Sequence, residues 1–126
     1  MKTRILFVDD EPNLLHGLQR QLRPMREQWD MYFAANGREA MELMQKTLCE
    51  VVVTDLFMPE QEGLETIMAL RRKHPATKIV AISGGGYQGK FIRALDIATK
   101  LGAYVTLQKP FSSQQMIQVL QEVIHI

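Results

Sequence analysis

The sequence has a single cysteine, Cys49, among its 126 residues, so it cannot form an internal disulfide. It also lacks any apolar run near the roughly 18 residues that a membrane-spanning helix needs. The apolar residues 5–8 follow Lys2 and Arg4, but they are too few for the core of a signal peptide and acidic residues follow at once. These absences predict a cytoplasmic protein that does not rely on a disulfide or a membrane, in which Cys49 is a structural thiol.

The chain also has no large excess of positive or negative charge. The net charge is +1, whereas dedicated nucleic-acid-binding domains usually carry a concentrated basic stripe, so direct nucleic-acid binding is not expected. Apolar residues make up 46% and charged residues 23% of the chain, which is ordinary for a globular protein. The length predicts one domain, spanning residues 1–126.

Short apolar runs alternate with longer segments of helical period, which is typical of repeated βα units around a parallel sheet. Strands are predicted near residues 4–8, 30–34, 51–55, 78–83 and 104–108. Pro12 suits the first turn of the first helix. Ser112 and Gln115 have the spacing of a capping box at the start of the last helix. The sequence thus predicts an α/β fold with five parallel strands.

The third and fourth helices carry further expectations. The third is predicted to begin near Gly63 and to end at His74-Pro75, with His74 facing water. Its predicted buried stripe is Leu64, Ile67, Met68 and Leu70. Three consecutive glycines, at 84–86, predict a loop after the fourth strand, followed by a helix over about 90–101 that ends at Gly102.

Polar side chains stand at the carboxyl ends of four predicted strands. They are Asp9 and Asp10 after the first strand, Asp55 at the end of the third, Ser83 after the fourth and Lys109 after the fifth. Parallel strands bring these ends to one edge of the sheet, where open α/β folds place their ligand sites. Three clustered carboxylates repel one another, and a hard divalent cation such as Mg²⁺ relieves that repulsion.

This arrangement favours phosphoryl chemistry. Asp55 would be the nucleophile that forms an acyl phosphate, while Lys109 and Ser83 would contact the phosphoryl oxygens. Each element alone has a more ordinary explanation, because Asp-Asp is a common helix cap and Lys-Pro a common turn. Their joint appearance at successive strand ends favours a functional site.

Several motifs of the sequence together resemble those of a known family. The chain resembles the receiver domain of bacterial two-component response regulators over its whole length. The motifs that carry the resemblance are Val8-Asp9-Asp10-Glu11-Pro12, Asn36-Gly37, Asp55-Leu56-Phe57-Met58-Pro59 with Gly63, Ser83, Gly102-Ala103 and Lys109-Pro110-Phe111. The resemblance implies a flavodoxin-like (βα)5 three-layer sandwich with strand order 2-1-3-4-5.

The resemblance also implies roles for individual residues. Asp55 would accept a phosphoryl group from a sensor histidine kinase, a histidine phosphotransfer protein or a small donor such as acetyl phosphate. Asp9, Asp10, Asp55 and the carbonyl of Phe57 would hold Mg²⁺, and Ser83 and Lys109 would contact the phosphoryl group. The chain would be a signalling domain that catalyses only its own phosphorylation and dephosphorylation. A downstream protein, an effector domain outside this sequence or a phosphorylation-dependent dimer would carry the output.

The sequence departs from the family pattern in three places. Thr106 stands where the family usually has a Tyr or Phe, with Tyr104 two residues earlier. Phe57 is a bulky apolar residue where many relatives have a polar one, and the glycines at 84–86 lengthen a loop. All three positions bear on how phosphorylation is transmitted from Asp55.

Three other functions fit parts of the pattern. An aspartyl-phosphate phosphatase would generally need an acid at position 57, which is Phe57. A flavin or nucleotide binder is disfavoured by the acids at 9–11, and the glycines are not followed by Lys-Ser/Thr. A docking module of the same fold that is never phosphorylated is the remaining alternative.

Overall fold

The computed structural model describes residues 2–56, 62–83, 96 and 98–125. Five strands are present: β1 (Thr3–Val8), β2 (Trp29–Ala34), β3 (Val51–Asp55), β4 (Lys78–Ser83) and β5 (Val105–Gln108). The helices are α1 (Pro12–Gln21), α2 (Gly37–Lys46), α3 (Glu62–Lys73) and α4 (Ser113–Ile124), with a 3-10 turn at Arg23–Met25 and helical residues at 98–101.

All neighbouring strands are parallel, and their order across the sheet is β2-β1-β3-β4-β5. The predicted fold class and strand order are therefore confirmed. Val8 pairs with Thr54, and Asp55 pairs with Ile82 in the next strand. The last residues of the three central strands thus lie side by side at one edge of the sheet, which we call the carboxyl edge.

Alternate residues of each strand face opposite sides of the sheet, as the two-residue period of a strand requires. On one side Ile5 and Phe7 pack with α1 and α4, in a cluster that includes Leu18, Met116 and Leu120. On the other side Leu6 and Val8 belong to a cluster that includes Ala40, Met44, Ile67, Leu70 and Ala98. Apolar burial on both faces produces the predicted three layers and explains why the central strands are apolar throughout.

Local signals fix where several helices begin and end. The side chain of Asn36 accepts a hydrogen bond from the Glu39 N–H at 2.8 Å and caps α2. Ser112 and Gln115 form the predicted capping box of α4. At the other end of α4, the Lys78 ammonium donates to the carbonyl of Val123 at 2.9 Å. Gly102 has φ +114°, the left-handed conformation that favours glycine after a helix.

One prediction about α3 is wrong. Met68 is 53% exposed, whereas Ile67 and Leu70 are fully buried, because the buried stripe of α3 is narrower than the apolar sequence suggests. His74, which follows α3, is half-buried, and its Nε2 atom is buried and has no hydrogen-bond partner among the described residues.

Cys49 is fully buried, and burial raises the pKa of its thiol to about 11. The thiol therefore stays protonated at neutral pH, which agrees with the predicted structural role. In the part of the chain that the structure describes, no helix is both long and apolar enough to cross a membrane.

Some predictions fall on residues outside the described ranges. They concern the carbonyl of Phe57, the Met58-Pro59 turn, the glycines at 84–86 and the first part of the helix predicted over 90–101.

Candidate phosphoacceptor site

The structure brings the predicted polar residues to the carboxyl edge of the sheet. Asp9 follows β1 directly, Asp55 ends β3, Ser83 ends β4, and Lys109 follows β5. Asp9 and Asp55 are each 2% exposed, so their carboxylates are almost completely removed from water. Burying two acids in one place is costly unless a positive charge is nearby.

The Lys109 ammonium supplies that charge. Its Nζ lies 3.0 Å from Oδ2 of Asp9 and 3.1 Å from Oδ2 of Asp55. A third carboxylate, that of the exposed Glu11, lies 3.5 Å from the same nitrogen. One ammonium therefore serves three acids, and the site carries excess negative charge.

The pKa of Asp9 is raised in this negatively charged, buried site. Burial is the largest effect and raises its pKa from 3.8 to about 6; the charge of Asp55 acts in the same direction. The backbone N–H of Glu11 donates to Oδ1 of Asp9 at 2.9 Å and lowers the pKa, as Lys109 does, but the two do not offset the combined effect of burial and Asp55. The charged form of Asp9 is therefore disfavoured in this site.

The pKa of Lys109 is also raised, but for a lysine this favours the charged form. Burial favours the neutral amine and pushes its pKa down, but Asp55 and Asp9 more than offset that effect, so the pKa lies above the usual 10.5. Every nearby carboxylate stabilises the charged form of Lys109, whereas each carboxylate is also repelled by the other carboxylates. Lys109 is therefore fully charged at neutral pH.

The donor set suits a hard divalent cation. Asp9, Asp10, Glu11 and Asp55 each offer a carboxylate oxygen, and these oxygens all lie within 4.8 Å of one another. Asp10 and Glu11 are exposed, while Asp9 and Asp55 are buried, so the cluster opens to water on one side. Oxygen donors with room for several waters fit Mg²⁺. Glu11 was not predicted as a site residue, although its place directly after Asp9-Asp10 could have indicated it.

Ser83 lies in the same edge with an unsatisfied hydroxyl. Its side chain is fully buried, and its Oγ finds no hydrogen-bond partner within the described ranges. The main chain of Ser83 is well fixed, because its carbonyl accepts a hydrogen bond from the Lys109 N–H at 2.8 Å. A buried donor without a partner is uncommon and suits a group that hydrogen-bonds to something outside the described part of the chain.

Gly63 allows α3 to approach the end of β3. A Cβ atom at this position would lie 2.2 Å from the carbonyl oxygen of Asp55 and 2.6 Å from Cα of Leu56. Only a residue without a side chain fits there. Gly63 therefore contributes to the position of the Asp55 backbone.

Thr106, with Tyr104 two residues earlier, is the position at which β5 departs from the family pattern. Thr106 lies in β5, paired with Ala81, and is half-buried. Tyr104 lies just before β5 and is 51% exposed. Val105 and Leu107 pack on the α1 side of the sheet, so Thr106 faces the opposite side, where α3 lies.

A groove of about 640 Å³ begins beside Lys109 and runs along α1. Its walls include Asn13, Gly17 and Gln21, which recur at four-residue intervals on one face of α1. Pro110 and Phe111 line the other side, and the Lys109–Pro110 peptide bond is cis. Glu11 and Lys109 therefore border a concave surface large enough for a side chain of another molecule.

Comparison with known proteins agrees with this geometry. Residues 5–121 match the family model of the response regulator receiver domain. The chain is 34% identical over 122 residues to the sensor kinase CckA of Brucella abortus, covering 95% of this chain and 12% of that protein. It is 30% identical over 117 residues to the transcriptional regulatory protein SrrA of Staphylococcus aureus, covering 93% of this chain and 46% of that protein. The chain thus spans less than half the length of these curated relatives.

Solved structures show the same fold. The signal receiver domain of an HD-domain-containing protein from Pseudomonas fluorescens superposes with a TM-score of 0.88 at 21% identity, covering 99% of this chain and 96% of that one. The chemotaxis protein CheY4 of Vibrio cholerae superposes with a TM-score of 0.83 at 26% identity, covering 98% and 99% of the two chains. The family match over almost the entire chain, the strand order and the converging acids lead to one conclusion: this chain belongs to the response regulator receiver domain family.

Proposed function

We propose that residues 1–126 form one receiver domain that acts as a switch, with Asp55 as the residue that accepts the phosphoryl group. The observation that carries the proposal is the position of the Lys109 ammonium, 3.1 Å from Asp55 and 3.0 Å from Asp9. A carboxylate that ends a buried strand beside a fixed positive charge is placed to attack a phosphorus atom.

The proposed reaction is a transfer between two nucleophiles. A carboxylate oxygen of Asp55 forms a bond to phosphorus while the bond from phosphorus to the donor breaks. When the donor is a phosphohistidine, the electron pair of the P–N bond returns to the imidazole of the donor. Hydrolysis reverses the modification, since water attacks phosphorus and inorganic phosphate leaves the restored carboxylate.

The residues around Asp55 have separate tasks. Lys109 contacts the phosphoryl oxygens and offsets part of their charge, and it exchanges one carboxylate partner for a phosphoryl oxygen. The hydroxyl of Ser83 donates to another phosphoryl oxygen, which satisfies a group that has no partner among the described residues. Gly63 keeps α3 close to the Asp55 carbonyl and so fixes the direction of attack.

Asp9, Asp10 and Asp55 are the residues that would hold Mg²⁺, with the Phe57 carbonyl as the further ligand implied by the family resemblance. When bound, the cation supplies positive charge against the phosphoryl oxygens and against the acids. The raised pKa of Asp9 and the carboxylate oxygens within 4.8 Å of one another support this assignment.

Receiver domains are signalling domains of two-component systems, and membership of this family supports a partner that carries a phosphohistidine. We propose a sensor histidine kinase or a histidine phosphotransfer protein as the donor, in the cytoplasm. The relatives are a sensor kinase and a transcriptional regulatory protein, both much longer than this chain, so the output passes through a separate protein or through an attached effector domain. The proposed signal is a shift between two conformations, one of which binds the phosphoryl group better.

Intact-mass measurement tests the proposal. The chain is incubated with acetyl phosphate and Mg²⁺, and we expect the addition of one phosphoryl group that is lost on standing. The variants Asp55→Ala and Asp96→Ala are compared, because Asp96 is an exposed acid that pairs only with Lys100 in the described structure. Modification should disappear in the first variant and persist in the second. No mass gain, or a gain that persists in Asp55→Ala, would favour a docking module or another acceptor.

A further inference from the structure

A cluster of arginines lies at the amino edge of the sheet, far from the proposed phosphoacceptor. Arg20 is in the last turn of α1, and Arg23 and Arg26 belong to the turn that leads into β2. Together with Pro24 and Glu27 they line a pocket of about 380 Å³. We refer to Arg20, Arg23 and Arg26 as the basic surface.

The basic surface is poorly neutralised. None of its three arginines forms an ion pair with any residue in the described ranges. Among the described residues, Glu27 is the acid that lines this pocket, and Asp30, which lines the neighbouring groove, pairs with Lys2 at 3.7 Å. Three guanidinium groups around one pocket repel one another, and an anionic partner would relieve that repulsion.

A second groove, with both polar and apolar walls, adjoins this charge. Its volume is about 300 Å³, and its polar walls include Arg23, Arg26, Lys2, Gln19 and Asp30. Its apolar part includes Met31 and Phe33, which are half-buried side chains of β2, an edge strand of the sheet. A ligand that lies across both cavities would meet the arginines and then the side chains of Met31 and Phe33.

We propose that this surface binds an acidic protein segment that carries a large apolar side chain. Its carboxylates would pair with the basic surface, and its apolar side chain would occupy the groove beside Met31 and Phe33. The combination of charge and apolar contact selects such a segment over a small anion, which would use the arginines alone.

The surroundings do not suit a nucleic acid. Single strands bind through bases that stack on exposed aromatic rings. Trp29 is only 4% exposed, and Phe33 is already stacked on Phe7, with ring centroids 5.3 Å apart. The net charge of +1 also gives the chain little long-range attraction for a polyanion.

The basic surface and the phosphoacceptor can be tested independently. Trp29 pairs with Thr3 at the start of β1, whereas Asp9 follows the end of that strand. Six strand residues separate the two edges by about 20 Å, which is more than the roughly 8 Å over which exposed charges interact at physiological salt. Reversing charge at the basic surface should therefore leave phosphorylation by acetyl phosphate unchanged.

The test is an NMR titration of the ¹⁵N-labelled full chain with two synthetic peptides at low salt. One peptide contains Asp and Glu around a central Leu-Phe pair, and the other has Asn and Gln in place of the acids. We expect saturable shifts confined to amides of residues 19–33 with the acidic peptide, and none with the neutral one. The double variant Arg23→Glu/Arg26→Glu should bind the acidic peptide at least about tenfold more weakly.

The matched control is Arg38→Glu/Arg72→Glu, which reverses two exposed arginines on α2 and α3 and should bind the acidic peptide within about twofold of the parent chain. The proposal is wrong if the shifts map elsewhere, if the acidic peptide does not bind, or if both double variants lose affinity equally. Tighter binding of single-stranded oligothymidylate at the same amides would also overturn it.

Discussion

Gly63 lies so close to Asp55 that a methyl group on its Cα would be 2.2 Å from the Asp55 carbonyl oxygen. This contact joins the start of α3 to the end of β3, and the three nearest atoms that would clash all belong to the backbone of Asp55 and Leu56. Backbone atoms cannot rotate away as a side chain can. The fit therefore constrains the residue proposed to accept the phosphoryl group.

Substitution of Gly63 should consequently affect both stability and chemistry. We expect Gly63→Ala to lower the free energy of unfolding by about 2–3 kcal/mol, measured by urea denaturation, because the helix must move away from β3. Phosphorylation by acetyl phosphate should slow. Gly17→Ala is the control: nothing lies within 4 Å of a Cβ at Gly17 in α1, so it should stabilise the chain by up to about 1 kcal/mol. Equal effects of the two substitutions would contradict the steric interpretation.

Removal of the ammonium tests the charge balance of the site. Lys109→Met keeps much of the apolar stem but removes the positive charge that lies 3.0 Å from Asp9 and 3.1 Å from Asp55. We expect a loss of about 3 kcal/mol in unfolding free energy at pH 7, and a smaller loss at pH 5, where Asp9 can take up a proton. Urea denaturation at the two pH values measures both. A loss that does not depend on pH would show that Lys109 acts through packing alone.

Asp9 should make the metal-free protein more stable in mild acid. Its pKa is 3.8 when unfolded and about 6 when folded, so between these values the folded state holds a proton that the unfolded state has released. The contribution of Asp9 to stability therefore falls as pH rises from about 4 to 6 and is constant above that range. The change is at most about 3 kcal/mol.

Two variants isolate that contribution. Asp9→Asn should be more stable than the parent chain at pH 7 without metal, and the difference should vanish towards pH 4. Asp96→Asn, an exposed acid paired with Lys100, should show no such trend between pH 5 and 7. Adding Mg²⁺ at pH 7 should stabilise the parent chain more than Asp9→Asn, because ligand binding to the folded state adds to stability. Thermal or urea unfolding of the parent chain and of Asp9→Asn, with and without Mg²⁺, measures these differences. Equal stabilisation of both proteins by Mg²⁺ would contradict the prediction.

Ser83 should matter for the reaction without stabilising the fold. Because an unpaired buried hydroxyl costs about 1–3 kcal/mol, Ser83→Ala should not lower the unfolding free energy and should raise it by about 1 kcal/mol. The rate of phosphorylation should fall about tenfold or more, since a hydrogen bond to a charged phosphoryl oxygen is lost. Thr77→Val provides the contrast, because the Thr77 hydroxyl donates to the Cys49 carbonyl at 3.1 Å and its removal should cost about 1 kcal/mol.

The convergence of Asp9, Asp55 and Lys109 could be predicted from sequence for a physical reason. Each residue follows a short apolar run, and parallel strands must bring their carboxyl ends to one edge whatever the side-chain details. The capping box at Ser112 was predictable for a similar reason, because it depends on residues only three positions apart. The strand order came from the family resemblance and not from the pattern of apolar residues.

Other features depend on packing that no local pattern encodes. Apolar residues at 67 and 68 look alike in sequence, yet Ile67 is buried and Met68 is 53% exposed, since the rotation of α3 is set by its contacts with β3 and α2. The close fit of Gly63 involves a helix and a strand whose separation is a tertiary property.

The hydrogen bond from the Lys109 N–H to the Ser83 carbonyl links the backbones of these two residues. Ser83 and Lys109 come from different strands, but this bond continues the β4–β5 ladder to the edge where Asp55 lies. A displacement of the Ser83 backbone towards a phosphoryl group would therefore pull the start of the Lys109-Pro110-Phe111 turn with it. Ser83 and Lys109, the two residues proposed to contact the phosphoryl oxygens, would then move together when a phosphoryl group binds.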